Sequence, residues 1–219
     1  YLIVNSSDYD VPQARERVFF IGFKNNSFII PDLEKMLLPY KKKAKTVREA
    51  LSILDKAGSG NNQGLCNAKI TLTPNPVLRK SPYAGMLFNG LGRPVKINGY
   101  CATLPASMGG NKTPIIDEDE LYNNSKSWVE EYHTKILSGG QPSEFVEAPK
   151  RLRRLTVQEA AILQSFPIEY KFFGSQSSIF KQIGNAVPCN LGYAIGRMMV
   201  NYLLSKDLEK ALSLIHIWR

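Results

Sequence analysis

Apolar residues fall in short runs between polar turns along most of this chain, and take up helical spacing near residues 47, 157 and 191. Tyr1-Leu2-Ile3-Val4 and Arg17-Val18-Phe19-Phe20-Ile21-Gly22 are rich in β-branched and aromatic residues, which predicts strands over 1–6 and 17–23. Residues 24–45 read as a linker, with Asn25-Asn26, Pro31, Pro39 and the run Lys41-Lys42-Lys43-Ala44-Lys45. That run is either a solvated surface stretch or a phosphate site. Thr46 with Glu49 forms a capping box, and Val47, Ala50, Leu51 and Leu54 share one helical face.

Residues 56–149 change character. Lys69-Ile-Thr-Leu-Thr, Ala84-Gly-Met-Leu-Phe, Pro94-Val-Lys-Ile and Thr113-Pro-Ile-Ile stand between turn signals, which predicts a small, loop-rich, mostly β region. One short helix is expected within 118–132. Gly58-Ser-Gly60-Asn-Asn-Gln-Gly64 has the wrong spacing for a dinucleotide fingerprint and reads as a flexible loop. Helical character returns after residue 150. Thr156 and Glu159 make a second capping box for a helix to about Ser165, which Pro167 ends. Another helix is expected from Pro188, carrying Leu191, Ile195, Met198 and Tyr202. Residues 207–219 break that spacing and read as a tail of non-native origin.

Composition narrows the function. The 219 residues carry a formal net charge of +9, which suits a polyanionic partner such as DNA. No run of ~18 apolar residues occurs, so no membrane span is expected. The three cysteines, Cys66, Cys101 and Cys189, are widely spaced and read as free thiols in a reducing compartment. His133 and His216 lie near no cysteine pair, so no metal site is expected. Tyr1 to Val4 carry no signal-peptide pattern, and the chain opens as if in mid-strand, like a piece of something longer.

Three segments carry candidate chemistry. In Gln13-Ala14-Arg15-Glu16-Arg17, the two arginines sit two residues apart at a strand start and so point the same way. Such a pair can grip a phosphate or a carbonyl oxygen, or make a salt bridge with Glu16, Asp8 or Asp10. Arg151-Leu-Arg153-Arg154-Leu-Thr156 to Phe166-Pro167 is a capped helix behind a basic entry, structural by default, its arginines possible DNA-backbone contacts. In Lys181-Gln182-Ile183-Gly184-Asn185-Ala186-Val187-Pro188, Gly184-Asn185 suits a tight turn. The helix beyond it either offers free amide groups to a polar ligand or is an ordinary helix entry.

In order and spacing, these segments resemble the eighth, ninth and tenth motifs of the DNA (cytosine-5)-methyltransferases, Gln-x-Arg-x-Arg, Arg-x-Leu-Thr-x-x-Glu…Gln-x-Phe-Pro and Gln-x-Gly-Asn-x-Val. The resemblance covers residues 1–204 and implies an α/β fold. Residues 1–55 and 150–206 would be a C-terminal piece of a Rossmann-like methyltransferase domain that uses S-adenosylmethionine. Residues 56–149 would be a mostly β, loop-rich target-recognition domain. Carried over by motif, Arg17 would meet the flipped cytosine near O2, Arg15 would hold a phosphate or support the catalytic loop, and Gln13 would shape that pocket. Asn185, Ala186 and Val187 would line the cofactor pocket. Thr103-Leu104 resembles the family's recognition-domain pair, and Gly109, Gly110, Asn111, Lys112, Arg93 and Arg79 are further DNA-contact candidates.

The family's Phe-x-Gly-x-Gly, Pro-Cys-Gln and Glu-Asn-Val motifs are missing here, and Pro188-Cys189-Asn190 is not a substitute for the second. The resemblance therefore implies a partner besides double-stranded DNA: an N-terminal catalytic part, in cis or as a separate subunit. The chain alone is expected to be inactive. The implied setting is a bacterial cytoplasm, nucleoid-associated, within restriction-modification. The alternative is a stand-alone sequence-specific DNA-binding module, which would have no use for the Gly184-Asn185 segment.

Overall fold

The computed structural model describes residues 1–22, 31–143 and 146–216, with side chains to residue 205. Asn25-Asn26 and the side chains of the 207–219 tail lie outside the described residues. The fold is a mixed α/β one, as expected, and among the described residues its sheets are two-stranded and antiparallel.

Strands β1 (Leu2–Asn5) and β2 (Glu16–Phe19) pair with Leu2 opposite Phe19 and Val4 opposite Arg17. The segment read as a linker is partly helical. Asp32 caps the short helix α1 (Leu33–Leu37), whose Leu33 and Leu37 are buried. Two lysines of the basic run are tied down at the surface, Lys41 by Asp8 and Lys42 by Asp10. Both predicted capping boxes form: Thr46 and Glu49 start α2 (Val47–Leu51), and Thr156 and Glu159 start α5 (Val157–Leu163).

The middle region is less β-rich than the sequence suggested. β3 (Leu72–Val77) pairs with β4 (Met86–Phe88) through an irregular register, and Pro74 and Pro76 within β3 remove two ladder donors. β5 (Ile115–Asp117) pairs with β6 (Leu152–Arg154). Two helices stand where one was expected, α3 (Glu118–Asn123) and α4 (Trp128–Leu137), because Asn124 adopts a left-handed φ of 54° and Ser127 caps a new helix. The loop around Gly58–Gly64 is anchored rather than free. Asn62 is fully buried, donates to the Asp55 carbonyl and accepts from the Thr156 hydroxyl.

Two helices close the chain. α6 (Gln176–Asn185) was missed by pattern, and α7 (Cys189–His216) follows Pro188 as predicted. Gly184 and Asn185 are therefore the last turn of a helix, not a tight turn. Three apolar clusters result. One joins β1 to α1 and α7 through Leu2, Val4, Leu37, Leu191 and Met198. One sits under β3, β4 and α4, with Leu72, Phe88, Val129 and Ile136. The largest takes Leu51, Ile97, Leu104, Ile116, Leu163, Phe180 and Ile183, and so draws on all three expected segments of the chain.

Thr156→Ala removes the α5 cap and a hydrogen-bond partner of buried Asn62. We expect it to lower the unfolding free energy by about 2 kcal/mol in a urea titration; an unchanged midpoint would count against this cap as a determinant of the fold.

Candidate functional site

Arg15 and Arg17 lie on the same face of the hairpin, as the two-residue period requires. Neither is paired with a carboxylate among the described residues; Asp8 and Asp10 are taken by Lys41 and Lys42. Arg15 is 5% exposed and its terminal nitrogens donate to the carbonyls of Leu104 and Gly184, each at 3.0 Å. Burial, with the like charge of Arg17, lowers its pKa to about 10, so it stays charged at neutral pH. Sealed this way, Arg15 offers no donor to a phosphate. Arg17 is half-buried and gives one bond to the Glu16 carbonyl, at 2.6 Å, which leaves most of its guanidinium uncommitted. Gln13 is fully buried beneath the same edge; its side-chain amide makes no hydrogen bond with the described residues.

Arg15 also brings the Thr103-Leu104 pair to the hairpin. Leu104 is fully buried in the core, while Thr103 is exposed and its hydroxyl donates to the Ala14 carbonyl at 3.3 Å. Beside them opens a cleft of about 590 Å³ lined by Ala14, Thr103, Ser107, Arg93, Lys112 and Leu91, among others. Two of the expected DNA contacts, Arg93 and Lys112, thus face the same hollow as Thr103. Gly109 (φ 135°) and Gly110 (φ 52°) shape the turn that exposes Asn111 and Lys112, in a backbone region that favours glycine. Arg79 is exposed but does not line this cleft; its carbonyl accepts from the His133 ring.

The third segment reaches the hairpin through the same guanidinium. Gly184 is fixed by packing: a Cβ there would lie 2.5 Å from the Pro105 carbonyl oxygen and 2.7 Å from Ala106. Asn185 and Val187 point outward, exposed, with Ala186 half-buried between them. The amide groups opening α7 are not free, contrary to one sequence expectation. The Cys189 N–H donates to the Gln164 carbonyl, and the Asn190 N–H to the Ser165 hydroxyl. A ligand at this edge would meet the side chains of Asn185 and Val187.

The arginines 151 to 154 serve the fold. Arg151 bonds Asp117 at 2.6 Å, and Arg153 bonds Glu118 at 2.7 Å and Glu159 at 2.6 Å. Burial opposes the charge of Arg153, but Glu159 and Glu118 outweigh it and raise its pKa. Arg154 is 1% exposed and donates to the carbonyls of Thr113 and Lys69. Every guanidinium nitrogen of Arg153 and Arg154 is engaged within the chain, and two of the three of Arg151 are. Gln164, which sequence reasoning did not single out, belongs to the site's frame: fully buried, it donates to the Ile183 carbonyl at 2.8 Å. The residue lies in the Gln-x-Phe-Pro pattern, which was the available signal. Burial pushes the Cys101 thiol up to about 12 and raises that of Cys189, the reverse of what a thiolate nucleophile needs.

Arg15 thus joins the start of β2, the Leu104 loop and the end of α6 beside a cleft that Arg93 and Lys112 line, in a mixed α/β fold. The chain matches the model of the C-5 cytosine-specific DNA methylases over residues 1–201, and it belongs to that family. It is 32% identical over 197 residues to the type II methyltransferase M.PspPI of Psychrobacter sp. (strain TA137), covering 89% of this chain and 44% of that one. It is 31% identical over 228 residues to M.NgoPII of Neisseria gonorrhoeae, covering 95% and 55%. The chain thus spans about half the length of the curated relatives it matches. A solved structure described as a DNA modification methyltransferase encoded within an Escherichia coli prophage shares the fold, with a TM-score of 0.52 and 20% identity, over 92% of this chain and 59% of its own.

Arg15→Lys replaces a two-pronged donor by a point donor and strands one buried carbonyl. We expect a loss of about 2 kcal/mol in denaturant melts; equal stability would show that the double bond does not hold the segments. With Ellman's reagent at pH 8, Cys101 in the native chain is expected to react only as fast as the protein unfolds, and prompt labelling of Cys101 would contradict its burial.

Proposed function

We propose that this chain is the recognition-side part of a DNA (cytosine-5)-methyltransferase. It chooses a duplex sequence and supplies part of the cytosine and cofactor pockets, and it completes a catalytic site only with a part that carries the nucleophile. The observation that carries the reading is the meeting of the three family-like segments: Arg15 donates to the Gly184 carbonyl, Gln164 donates to the Ile183 carbonyl, and the Arg15 guanidinium also reaches Leu104.

The chemistry follows from the base. Cytosine inside a duplex hides its reacting atoms, so it has to leave the stack. Arg17 keeps most of its donors free on the hairpin edge and would hydrogen-bond the extruded base near O2, drawing electron density from the ring. That favours addition at C6 of a thiolate supplied by the complementary part; the addition makes C5 nucleophilic, and loss of the C5 proton after methyl transfer expels the thiolate again. S-adenosylmethionine, when bound, supplies an electrophilic methyl group. Asn185, with an uncommitted amide, and Val187, with an exposed apolar side chain, fit one wall of a site for such a polar and apolar molecule. Arg15 and Gln13 act from beneath as positioning residues. Arg93 and Lys112 line the cleft and would meet the DNA backbone or base edges, with Thr103 and Asn111 as polar neighbours.

Mixing the chain with an N-terminal methylase part that carries Pro-Cys-Gln, then following labelled methyl transfer to duplex DNA, tests the reading. Transfer is expected in the mixture and not from the chain alone, and Arg17→Ala should slow it on the order of 100-fold. Methyl transfer by the chain alone, or an Arg17→Ala mixture as fast as the native one, overturns the assignment. In duplex-binding titrations, Arg93→Ala and Lys112→Ala should each reduce the slope of log affinity against log salt by about 1 where the side chain meets a phosphate.

A further inference from the structure

Two adjacent residues just past the end of α5 are poor choices for stability alone. Gln164 is fully buried, and its amide donates one hydrogen bond, to the Ile183 carbonyl at 2.8 Å. Its Oε1 is buried too and meets no donor among the described residues. An unmet buried acceptor costs at least as much as one hydrogen bond returns. The Ile183 carbonyl does not depend on the amide, because the Ala186 N–H also reaches it, at 3.3 Å. A methionine of similar size would fill the same space without that penalty. Ser165 follows with a φ of 56°. It takes the left-handed position that closes α5, where the Phe166 N–H turns back to the Ala161 carbonyl. Glycine would hold that position without strain.

Both residues are bonded to one short piece of chain. The Gln164 amide holds the Ile183 carbonyl, and the Gln164 backbone carbonyl accepts from the Cys189 N–H at 3.1 Å. The Ser165 hydroxyl donates to that same carbonyl at 2.7 Å and accepts from the Asn190 N–H at 3.0 Å. One dipeptide thus grips the junction of α6 and α7 at both ends. Residues 184–188 lie between the grips, and of these Asn185 and Val187 are exposed. Arg15 adds a further hold at the Gly184 carbonyl. Two neighbouring departures from the most stable choice converge on one exposed edge, and such departures collect where geometry matters more than stability.

We infer that Gln164 and Ser165 are positioning residues for S-adenosylmethionine. They set the spacing and orientation of Asn185 and Val187, and so govern how tightly the cofactor is held rather than how fast the methyl group moves. Neither touches the ligand: Gln164 is sealed from solvent, the Ser165 hydroxyl is turned to Asn190, and both act through the backbone of 183–190. The inference rests on the function proposed above, which takes this edge as one wall of the cofactor site.

Gln164→Met removes the grip on Ile183 together with the unmet oxygen, so the full chain should keep its melting temperature to within about 4 °C. Amide hydrogen exchange over 183–190 in that chain should become about ten-fold faster, the equivalent of one hydrogen bond in a local opening. In the mixture with an N-terminal methylase part that carries Pro-Cys-Gln, equilibrium dialysis should show labelled S-adenosylmethionine bound about ten-fold more weakly than by the wild-type mixture. Methyl transfer at saturating cofactor, and affinity for duplex DNA, should stay within about two-fold. Ser165→Ala, which leaves the Asn190 N–H without its acceptor, should weaken cofactor binding in the same way. Unchanged cofactor affinity in both variants overturns the inference while leaving the proposed function intact. So does a Gln164→Met chain that loses melting temperature, duplex affinity and cofactor affinity together, the result of a purely structural role. A wild-type mixture that binds no S-adenosylmethionine overturns the proposed function, and this inference with it.

Discussion

A guanidinium buried to within 5% of complete exclusion from solvent has to find acceptors, and Arg15 finds them in two backbone carbonyls far apart in sequence. The Leu104 and Gly184 carbonyls come from an irregular loop and from the last turn of α6. Each needs a donor, and one planar fork supplies both. The geometry of the fork therefore sets how the β1–β2 hairpin meets two other segments. It also fixes which way β2 presents Arg17, because residues two apart in a strand share a face. The close packing of Gly184 on Pro105 and Ala106 brings the second carbonyl near. Neither the contact nor the guanidinium site is tolerant of a bulkier or shorter group.

The division of labour among the basic residues follows the same rule. Those near acceptors in the interior are spent on the fold: Arg151, Arg153 and Arg154 along β6 bind Asp117, Glu118, Glu159 and two carbonyls. Those left exposed, Arg93, Lys112, Arg79 and Lys43 among them, make the surface basic. A formal charge of +9 thus does not reveal how far the interior depends on its arginines. Arg15, held by carbonyls rather than carboxylates, also keeps its positive charge inside, two residues from Arg17.

What was legible in the sequence was local. The capping boxes at Thr46–Glu49 and Thr156–Glu159 are contained within four residues, so pattern alone locates them. The shared face of Arg15 and Arg17 needs only a period of two. Helix α6 was not legible, because Gly184 and Asn185 look like turn residues, and glycine is there for a tertiary reason, the approach of the 105–106 backbone. Asn62 looked like part of a mobile polar loop, yet its partners Thr156 and Glu159 lie more than ninety residues away. The roles of Arg151 to Arg154 were open for the same cause: a cation reads alike in sequence whether its acceptor is a phosphate or a carboxylate on another strand. The candidate site divides likewise. Its three segments were visible by their order, while the internal use of Arg15, the burial of Gln13 and the framing role of Gln164 depend on contacts across the fold.

The two amide groups at the start of α7 sharpen what the cofactor edge can do. Cys189 and Asn190 give theirs to Gln164 and Ser165, at the end of α5, so the helix start is used to join α7 to the rest of the fold. The Asn190 side chain extends that link by donating to the Asp10 carbonyl, in the loop between β1 and β2. A ligand at this edge would therefore meet the side chains of Asn185 and Val187 rather than these two helix amides, on a rim whose backbone is held from both sides. Such a rim is rigid but open. Its rigidity comes from contacts within this chain, and its openness from the exposure of Asn185 and Val187.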